Sequence, residues 1–241
     1  MSVCFLNSEY VLLSEAKVSV LDRGFIFGDA VYEVLPAFEG KFFALAQHLE
    51  RLNDNLKKVS IDPPYSSKEW GTLLATLSDK NGNSDLSFYI QVTRGVAERN
   101  HFFPMHCEPT VFVMCTNLKS SSNPLIKSCI TRSDNRWGRC DIKTTSLLPN
   151  LMLKNEALLS DAFEVILLKN GILTEGASSN VFVVSKGRVK TPEVSNFILP
   201  GVTRGFVLQV LNELGITCEK SNVISEELFD ACEIWLTSSS N

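Results

Sequence analysis

The sequence predicts an α/β protein built from two domains. Three observations favour this class: leucines at helical spacing in the first half, a strand-like alternation in the same half, and a polar stretch that separates it from a second group of strands and helices. The chain has 241 residues and is 44% hydrophobic. A chain of this length can bury one large core or two small ones.

The first half predicts one helix and two strands. Leucines recur at helical spacing through residues 44–59, and Arg51 lies off this leucine stripe. Residues 86–93 alternate apolar and polar side chains, which is the period of a strand, and residues 110–115 form a second apolar, β-prone run. The first half therefore mixes helix and strand.

A linker is predicted where turn formers replace apolar residues. Residues 116–124 read Thr-Asn-Leu-Lys-Ser-Ser-Ser-Asn-Pro, a composition that can bury little surface. We place the linker at residues 119–125, between a domain of residues 1–118 and a domain of residues 126–241.

The second half predicts two hairpins and two helices. Residues 165–174 contain an Asn170-Gly171 turn between apolar runs, and residues 181–187 begin a second hairpin. Helical patterns cover residues 148–162 and a segment that begins after Gly201.

Composition excludes several classes of function. The chain has 23 Lys and Arg against 27 Asp and Glu, with no basic block that would favour nucleic acid or an anionic membrane as a partner. It has neither the pattern of a signal peptide at its N-terminus nor a long apolar span, so we expect a cytoplasmic protein. Seven scattered cysteines without a Cys-x-x-Cys pair argue against disulfides and against a metal site.

Two residues of the second half suggest pyridoxal phosphate (PLP) chemistry. Lys143 can form an imine with the aldehyde of this cofactor and can then act as a base, and Glu175, in a turn after a predicted strand, can pair with the ring nitrogen. Taken alone, a lysine such as Lys143 is usually a solvated surface residue, and Glu175 reads equally well as a turn glutamate. Their occurrence together favours the cofactor.

A phosphate site is predicted at the start of the second of these two helices, after Gly201. Gly201-Val202-Thr203-Arg204 opens that helix, and the N-H groups of a first helical turn bind phosphate. Arg51 and the hydroxyls of residues 237–240 could complete the site. The alternative at the helix start is N-capping by Thr203.

Longer sequence motifs, distributed in order over essentially the whole chain, carry a resemblance to a known family. They are Asp22-Arg-Gly-Phe-Ile-Phe-Gly-Asp-Ala-Val-Tyr32-Glu, His48-Leu-Glu-Arg51-Leu, and Gln91-Val-Thr-Arg94-Gly-Val-Ala-Glu-Arg99-Asn-His101-Phe-Phe-Pro104. With the segments around Lys143, Glu175 and Gly201, they resemble the fold type IV PLP enzymes: branched-chain aminotransferases, 4-amino-4-deoxychorismate lyases and, most similar, D-amino acid aminotransferases. The resemblance implies an N-terminal α/β domain and a C-terminal pseudo-barrel α/β domain that carries the lysine, with the cofactor between them.

The resemblance also implies a role for each candidate residue. Lys143 would carry pyridoxal 5'-phosphate, Glu175 would contact its ring nitrogen, and Arg136 would approach its phenolic oxygen. Leu199 would pack on the ring, and Ser178 and Ser179 would lie along the cofactor near the substrate. The remaining cofactor residues would hold the phosphate: Arg51, Val202, Thr203 and Ser239.

The substrate is implied by Tyr32, Arg99 and His101, which would trap the α-carboxylate of an amino acid. In D-amino acid aminotransferases the arginine and the histidine come from the neighbouring subunit, so we expect a homodimer. The resulting hypothesis is transamination between a D-amino acid and a 2-oxo acid. The chain differs from the family at its C-terminal end. Family members continue past the segment that ends here at Asn241, so we expect the sequence to be truncated.

Three other functions stay open at this point. A 4-amino-4-deoxychorismate lyase would use the same lysine, although Arg99 and His101 argue against it because such lyases generally lack this pair. A branched-chain L-aminotransferase is the next alternative. A PLP-binding protein without catalysis is the third.

Overall fold

The computed structural model describes residues 2–118 and 126–239, which form two compact units. The first unit contains residues 2–118 and Ile142–Ser146, and the second contains residues 126–141 and Leu147–Ser239. The predicted linker at residues 119–125 lies outside the described residues.

The first unit is built on an antiparallel sheet with helices. Its strands are β1 (Val3–Leu6), β2 (Glu9–Leu12), β3 (Ala30–Phe38), β4 (Lys41–Phe42), β5 (Leu86–Thr93) and β6 (Thr110–Asn117). Its helices are α1 (Arg23–Phe27), α2 (Leu45–Lys58) and α3 (Ser67–Lys80). The six strands lie in the order β2-β1-β6-β5-β3-β4, and every neighbouring pair is antiparallel.

The two long helices of this unit pack against the inward side chains of the sheet. The leucine stripe of α2 is buried, as predicted, and joins the strand residues in one apolar core. Helix α3 was not predicted, but it begins with a capping box in which Ser66 and Glu69 exchange hydrogen bonds. Its Trp70 is fully buried in the same core.

The lysine segment belongs to the first unit and not, as we expected, to the C-terminal one. Strand β4 pairs only with Ala37 and Phe38, which leaves the opening residues of β3 without a neighbour on that edge. Residues 143–145 occupy this edge: Tyr32 N donates to Lys143 O at 2.9 Å, and Thr145 N donates to Ala30 O at 3.2 Å. Residues 143–145 belong to the first unit because they supply hydrogen-bond partners to the otherwise unpaired edge of β3.

The second unit combines two sheets with three helices. Its strands are β7 (Cys129–Ser133), β8 (Glu164–Lys169), β9 (Ile172–Gly176), β10 (Asn180–Ser185), β11 (Arg188–Thr191), β12 (Cys218–Lys220) and β13 (Glu233–Thr237). Its helices are α4 (Leu148–Leu159), α5 (Val202–Glu213) and α6 (Ser225–Phe229). The sheet orders are β12-β11-β10-β13 and β7-β8-β9, so in the described residues the implied pseudo-barrel is two open sheets.

Both predicted hairpins of this unit are confirmed. Asn170 and Gly171 join β8 to β9 with φ values of 52° and 77°, the left-handed conformation that a tight hairpin turn needs. Helix α4 ends at Leu159 and is shorter than predicted. Asp161 has φ 52°, a conformation that a helix cannot continue through.

Two further features concern membranes and metals. In residues 2–118 and 126–239 no helix combines the length and the apolar character of a membrane span. The same residues contain no group of three or more His, Cys, Asp or Glu side chains placed to hold a metal ion.

Candidate active site

Lys143 lies half-buried at the edge of β3, with its amine free of polar partners. Its Nζ lies 4.3 Å from the centre of the Tyr32 ring. Among the described residues, this nitrogen has no hydrogen bond and no ion pair. An amine in this state is available for a covalent bond.

A buried carboxylate that sequence analysis missed lies next to this lysine. Glu33 on β3 is fully buried and accepts hydrogen bonds from Arg51 Nε at 2.9 Å, Arg51 Nη2 at 2.6 Å and His48 Nδ1 at 3.1 Å. Burial raises the pKa of Glu33, but Arg51, His48 and the nearby Lys143 outweigh it and hold this pKa at about 2. Arg51 is therefore oriented by a charged partner in its own unit.

Tyr32 is placed between the lysine and a second tyrosine. Its ring stacks on Tyr89 with 5.6 Å between the ring centres. Burial and the neighbouring Tyr32 raise the pKa of Tyr89 to about 12, and the Tyr89 hydroxyl donates to Gln91 at 2.7 Å. Tyr89 stays neutral at physiological pH and supports the Tyr32 ring as an uncharged surface.

Arg99 and His101 are brought together, but not with Tyr32. Both are exposed and both contact the ring of Phe27, at 5.4 Å for the guanidinium and 5.8 Å for the imidazole. No hydrogen bond, ion pair or ring contact joins either residue to Tyr32 within the described part of the chain. Within the described part of one chain, Arg99 and His101 therefore contact Phe27 and make no contact with Tyr32.

An ion triad anchors the loop that carries these two residues. Asp29 accepts hydrogen bonds from Arg23 Nε at 2.8 Å and from Arg94 Nε at 2.8 Å. Arg23 also donates to Asn100 O at 2.8 Å, and the Arg94 guanidinium lies 3.6 Å from the centre of the Phe103 ring. The loop is thus fixed at both sides of His101.

Glu175, in the second unit, is a buried carboxylate with three N-H partners. It accepts from Arg136 Nη1 at 2.6 Å, from Asn180 Nδ2 at 3.1 Å and from the backbone N of Leu199 at 3.0 Å. Burial raises the pKa of Glu175 to about 7, although Arg136 and the Leu199 amide oppose this rise. The structure therefore places Glu175, Arg136 and Leu199 together, as the sequence hypothesis requires.

Arg136 is more heavily engaged than the sequence suggested. It donates to both oxygens of Asp134, at 2.9 and 2.8 Å, to Phe197 O at 3.1 Å, and to Glu175. A guanidinium has five N-H groups, so one, on Nη1, is left for a ligand. Asp134 was not a candidate from the sequence, although its position two residues before Arg136 makes it a local partner.

The turn between β9 and β10 contains the two candidate serines. Ser178 Oγ and Ser179 Oγ both donate to Glu164 Oε2, at 2.8 and 3.1 Å. Sequence analysis did not identify Glu164, since it opens strand β8 and lies more than ten residues from the turn.

The start of helix α5 keeps its N-H groups free of a side-chain cap. Its N-cap is Gly201 and not Thr203, so the capping alternative is wrong. The Thr203 hydroxyl donates instead to Ser238 O at 3.1 Å and lies 3.4 Å from Ser239 Oγ. Val202, Thr203 and Ser239 are thus brought together at a helix end that suits an anion.

Comparison with known proteins identifies relatives of the whole chain. The family model described as amino-transferase class IV matches residues 30–241. The D-alanine aminotransferase of Bacillus licheniformis is 40% identical over 242 residues, covering 99% of this chain and 84% of that protein. The D-alanine aminotransferase of Staphylococcus epidermidis strain ATCC 12228 is 37% identical over 245 residues, covering 100% and 86%.

Solved structures share the fold. A branched-chain aminotransferase from Thermoproteus uzoniensis, determined with norvaline, is 25% identical with a TM-score of 0.89 and covers 99% of this chain and 84% of that one. A fold IV transaminase from Curtobacterium pusillum is 26% identical with a TM-score of 0.84, covering 96% and 83%. The predicted fold type IV is confirmed.

Proposed function

Because the chain belongs to the aminotransferase class IV family and is an enzyme of that family, we propose that it transfers an amino group from a D-amino acid to a 2-oxo acid. D-alanine and 2-oxoglutarate are the expected pair, with pyridoxal 5'-phosphate as cofactor. The substrate class is supported by the D-alanine aminotransferases that the chain resembles over its whole length.

The observation that carries this proposal is the unpaired amine of Lys143 beside Tyr32. Covalent attachment of an aldehyde needs an amine that is not held by other polar groups. Lys143 is half-buried, and among the described residues its amine has no hydrogen bond and no ion pair.

The residues present fit the three polar parts of this cofactor. The Lys143 amine suits the aldehyde, and the Glu175 carboxylate, with a pKa of about 7, suits a protonated ring nitrogen. The uncapped start of α5, with Thr203 and Ser239, suits a phosphate. When bound, the cofactor supplies an electron sink for the pair released as the Cα-H bond breaks.

Each residue of the chain then has a defined task. The Nζ of Lys143 would hold the cofactor covalently, and the same amine would serve as the base that moves the substrate's Cα proton. Glu175 keeps the ring nitrogen protonated; an ion pair at about 3 Å with an effective dielectric of about 20 contributes roughly 5 kcal/mol. The remaining N-H of Arg136 would donate to the phenolic oxygen, and Leu199 would pack on the ring.

Phosphate binding is assigned to Arg51, Val202, Thr203 and Ser239, with the turn at Ser178 and Ser179 along the bound molecule. A guanidinium and the amides of a first helical turn bind a phosphate dianion by charge and by directed hydrogen bonds. The pairing of Arg51 with Glu33 supports this role, since it orients the guanidinium before the ligand arrives.

The α-carboxylate of the substrate would be bound by Tyr32 together with Arg99 and His101 of a second copy. This division is supported by the exposure of Arg99 and His101 and by the lack of a contact between either residue and Tyr32 in the described part of one chain. We accordingly propose a homodimer.

A cytoplasmic location is supported by seven free thiols, which persist in a reducing compartment.

The test is a stereoisomer-resolved assay of the purified protein. With D-alanine and 2-oxoglutarate, chiral chromatography should detect D-glutamate, and borohydride reduction followed by mass spectrometry should locate the cofactor on Lys143. Absence of D-glutamate together with turnover of L-leucine would favour the branched-chain alternative, which the structural relatives suggest. Formation of pyruvate and 4-aminobenzoate from aminodeoxychorismate alone would favour the lyase.

A further inference from the structure

The turn between β9 and β10, which contains Ser178 and Ser179, is hydrogen-bonded to one buried carboxylate. Glu164 is 1% exposed, and its Oε2 accepts hydrogen bonds from Ser178 Oγ at 2.8 Å, Ser179 Oγ at 3.1 Å and Ser178 N at 3.3 Å. Its Oε1 accepts from Val165 N at 2.9 Å and lies 3.3 Å from Lys154 Nζ. Each of these partners is a donor, and the Glu164 carboxylate is the acceptor in every one of these contacts.

The hydroxyl protons of Ser178 and Ser179 are both used in the hydrogen bonds to Glu164. A hydroxyl has one proton to donate and two lone pairs that accept. Because Ser178 and Ser179 both donate to Glu164, neither hydroxyl can donate to a phosphate. Their oxygens can still accept a hydrogen bond, and Ser178 is exposed at the tip of the turn.

The turn has little freedom to change this orientation. Gly176 N donates to Ser179 O at 2.7 Å, and Asn150 on α4 donates to Ala177 O at 2.8 Å. A Cβ built on Gly176 would collide with Ser179 Oγ and lie 3.3 Å from Glu164 Cγ. Close packing therefore holds the serines against Glu164, in the turn that directly follows the strand carrying Glu175.

We propose that Glu164 is a positioning residue that turns the Ser178 hydroxyl into a hydrogen-bond acceptor for the amino group of the bound amino acid. This inference rests on the proposed function. An amino group offers N-H donors, whereas a 2-oxo acid offers none at that position. Glu164 therefore acts on binding of the amino donor and not on binding of the oxo acid or of the phosphate.

The test compares Michaelis constants for the two substrates. Glutamine at position 164 keeps the shape of the side chain, but its amide N-H₂ can donate to Ser178 and release the serine proton. With Glu164→Gln, the KM for D-alanine should rise about five- to tenfold, the effect of one lost hydrogen bond, and the KM for 2-oxoglutarate should change less than about twofold. The Kd for pyridoxal 5'-phosphate, followed by absorbance, should also change less than about twofold.

Two further variants separate positioning from structure. Lys154→Met removes the ion pair to Oε1 and a hydrogen bond to Phe163 O, but it leaves every partner of Oε2 in place, so the ratio of the two KM values should stay at the wild-type value. Ser178→Ala, at an exposed position that does not threaten folding, should raise the KM for D-alanine as Glu164→Gln does, and the double variant should show no further increase.

The outcomes distinguish this inference from the proposed function. A wild-type protein that neither binds the cofactor nor forms D-glutamate refutes the proposed function. An active wild type whose Ser178→Ala variant keeps the same KM ratio overturns only the role of Glu164, whether or not Glu164→Gln folds. A tenfold loss of cofactor affinity in Glu164→Gln would also overturn it, because the serines would then be phosphate donors.

Discussion

Replacing Glu33 by Gln should destabilise the first unit, because it removes the charge that Arg51 and His48 surround. The pKa of Glu33 falls from 4.5 to about 2 on folding, which corresponds to about 3 kcal/mol of extra stabilisation of the ionised form. Glu33 is fully buried, so solvent does not screen this value. At neutral pH we expect the free energy of unfolding to fall by about that amount.

The pH dependence gives a second, independent signature. Since the pKa of Glu33 is lower in the folded protein than in the unfolded chain, its contribution is fully present above pH 4.5 and is lost as the pH falls toward about 2. The difference between wild type and Glu33→Gln should shrink from about 3 kcal/mol at pH 7 to about 1.5 kcal/mol at pH 3. Urea unfolding followed by tryptophan fluorescence measures both, because Trp70 is buried in this unit.

The matched control is Glu50→Gln, which makes the same change at an exposed position of α2. It should alter the free energy of unfolding by less than about 0.5 kcal/mol. A loss below about 1 kcal/mol for Glu33→Gln, or a difference that does not depend on pH, would refute the view that this carboxylate is held ionised by its partners.

Four other predictions concern the candidate active site. Lys143→Ala should abolish both the borohydride-trapped adduct and D-glutamate formation, and an adduct on another lysine would contradict the assignment. Glu175→Gln should still bind the cofactor covalently but slow Cα proton removal about tenfold or more, measured with Cα-deuterated D-alanine; an unchanged rate would remove its assigned role. Arg99→Ala should raise the KM for D-alanine about tenfold or more, whereas the exposed Arg188→Ala should not. Mixing Arg99→Ala with Tyr32→Phe should restore activity if the two residues act across a dimer, and no recovery would favour a site within one chain.

Local patterns predicted those elements whose neighbours in sequence determine them. The leucine spacing of α2 and the Asn170-Gly171 turn depend on residues a few positions apart, and both are confirmed. Helix α4 was predicted too long because its apolar pattern continues past Ser160, whereas the backbone turns to a positive φ at Asp161.

Long-range pairing could not be read from the sequence. Thr144 Oγ1 donates to Ala30 O at 2.9 Å across more than one hundred residues, and no local pattern indicates that contact. Glu33 looks like a solvent-facing residue of a strand until Arg51 and His48 are placed above it by α2. The signal that could have identified it is a charged residue on the same strand face as Val31 and Leu35, which lie two residues away on either side and are both fully buried.

The assignment of residues 142–146 to the first unit has a consequence for dissecting the protein. The chain enters the second unit before residue 141, returns to the first unit for five residues, and leaves again at Leu147. A cut at residues 119–125 would leave Lys143 on the C-terminal fragment, without the backbone of Ala30 and Tyr32 that holds its segment in place. Neither half expressed alone would therefore reproduce the reactivity of the intact enzyme, and restoring it would require mixing the two complementary pieces.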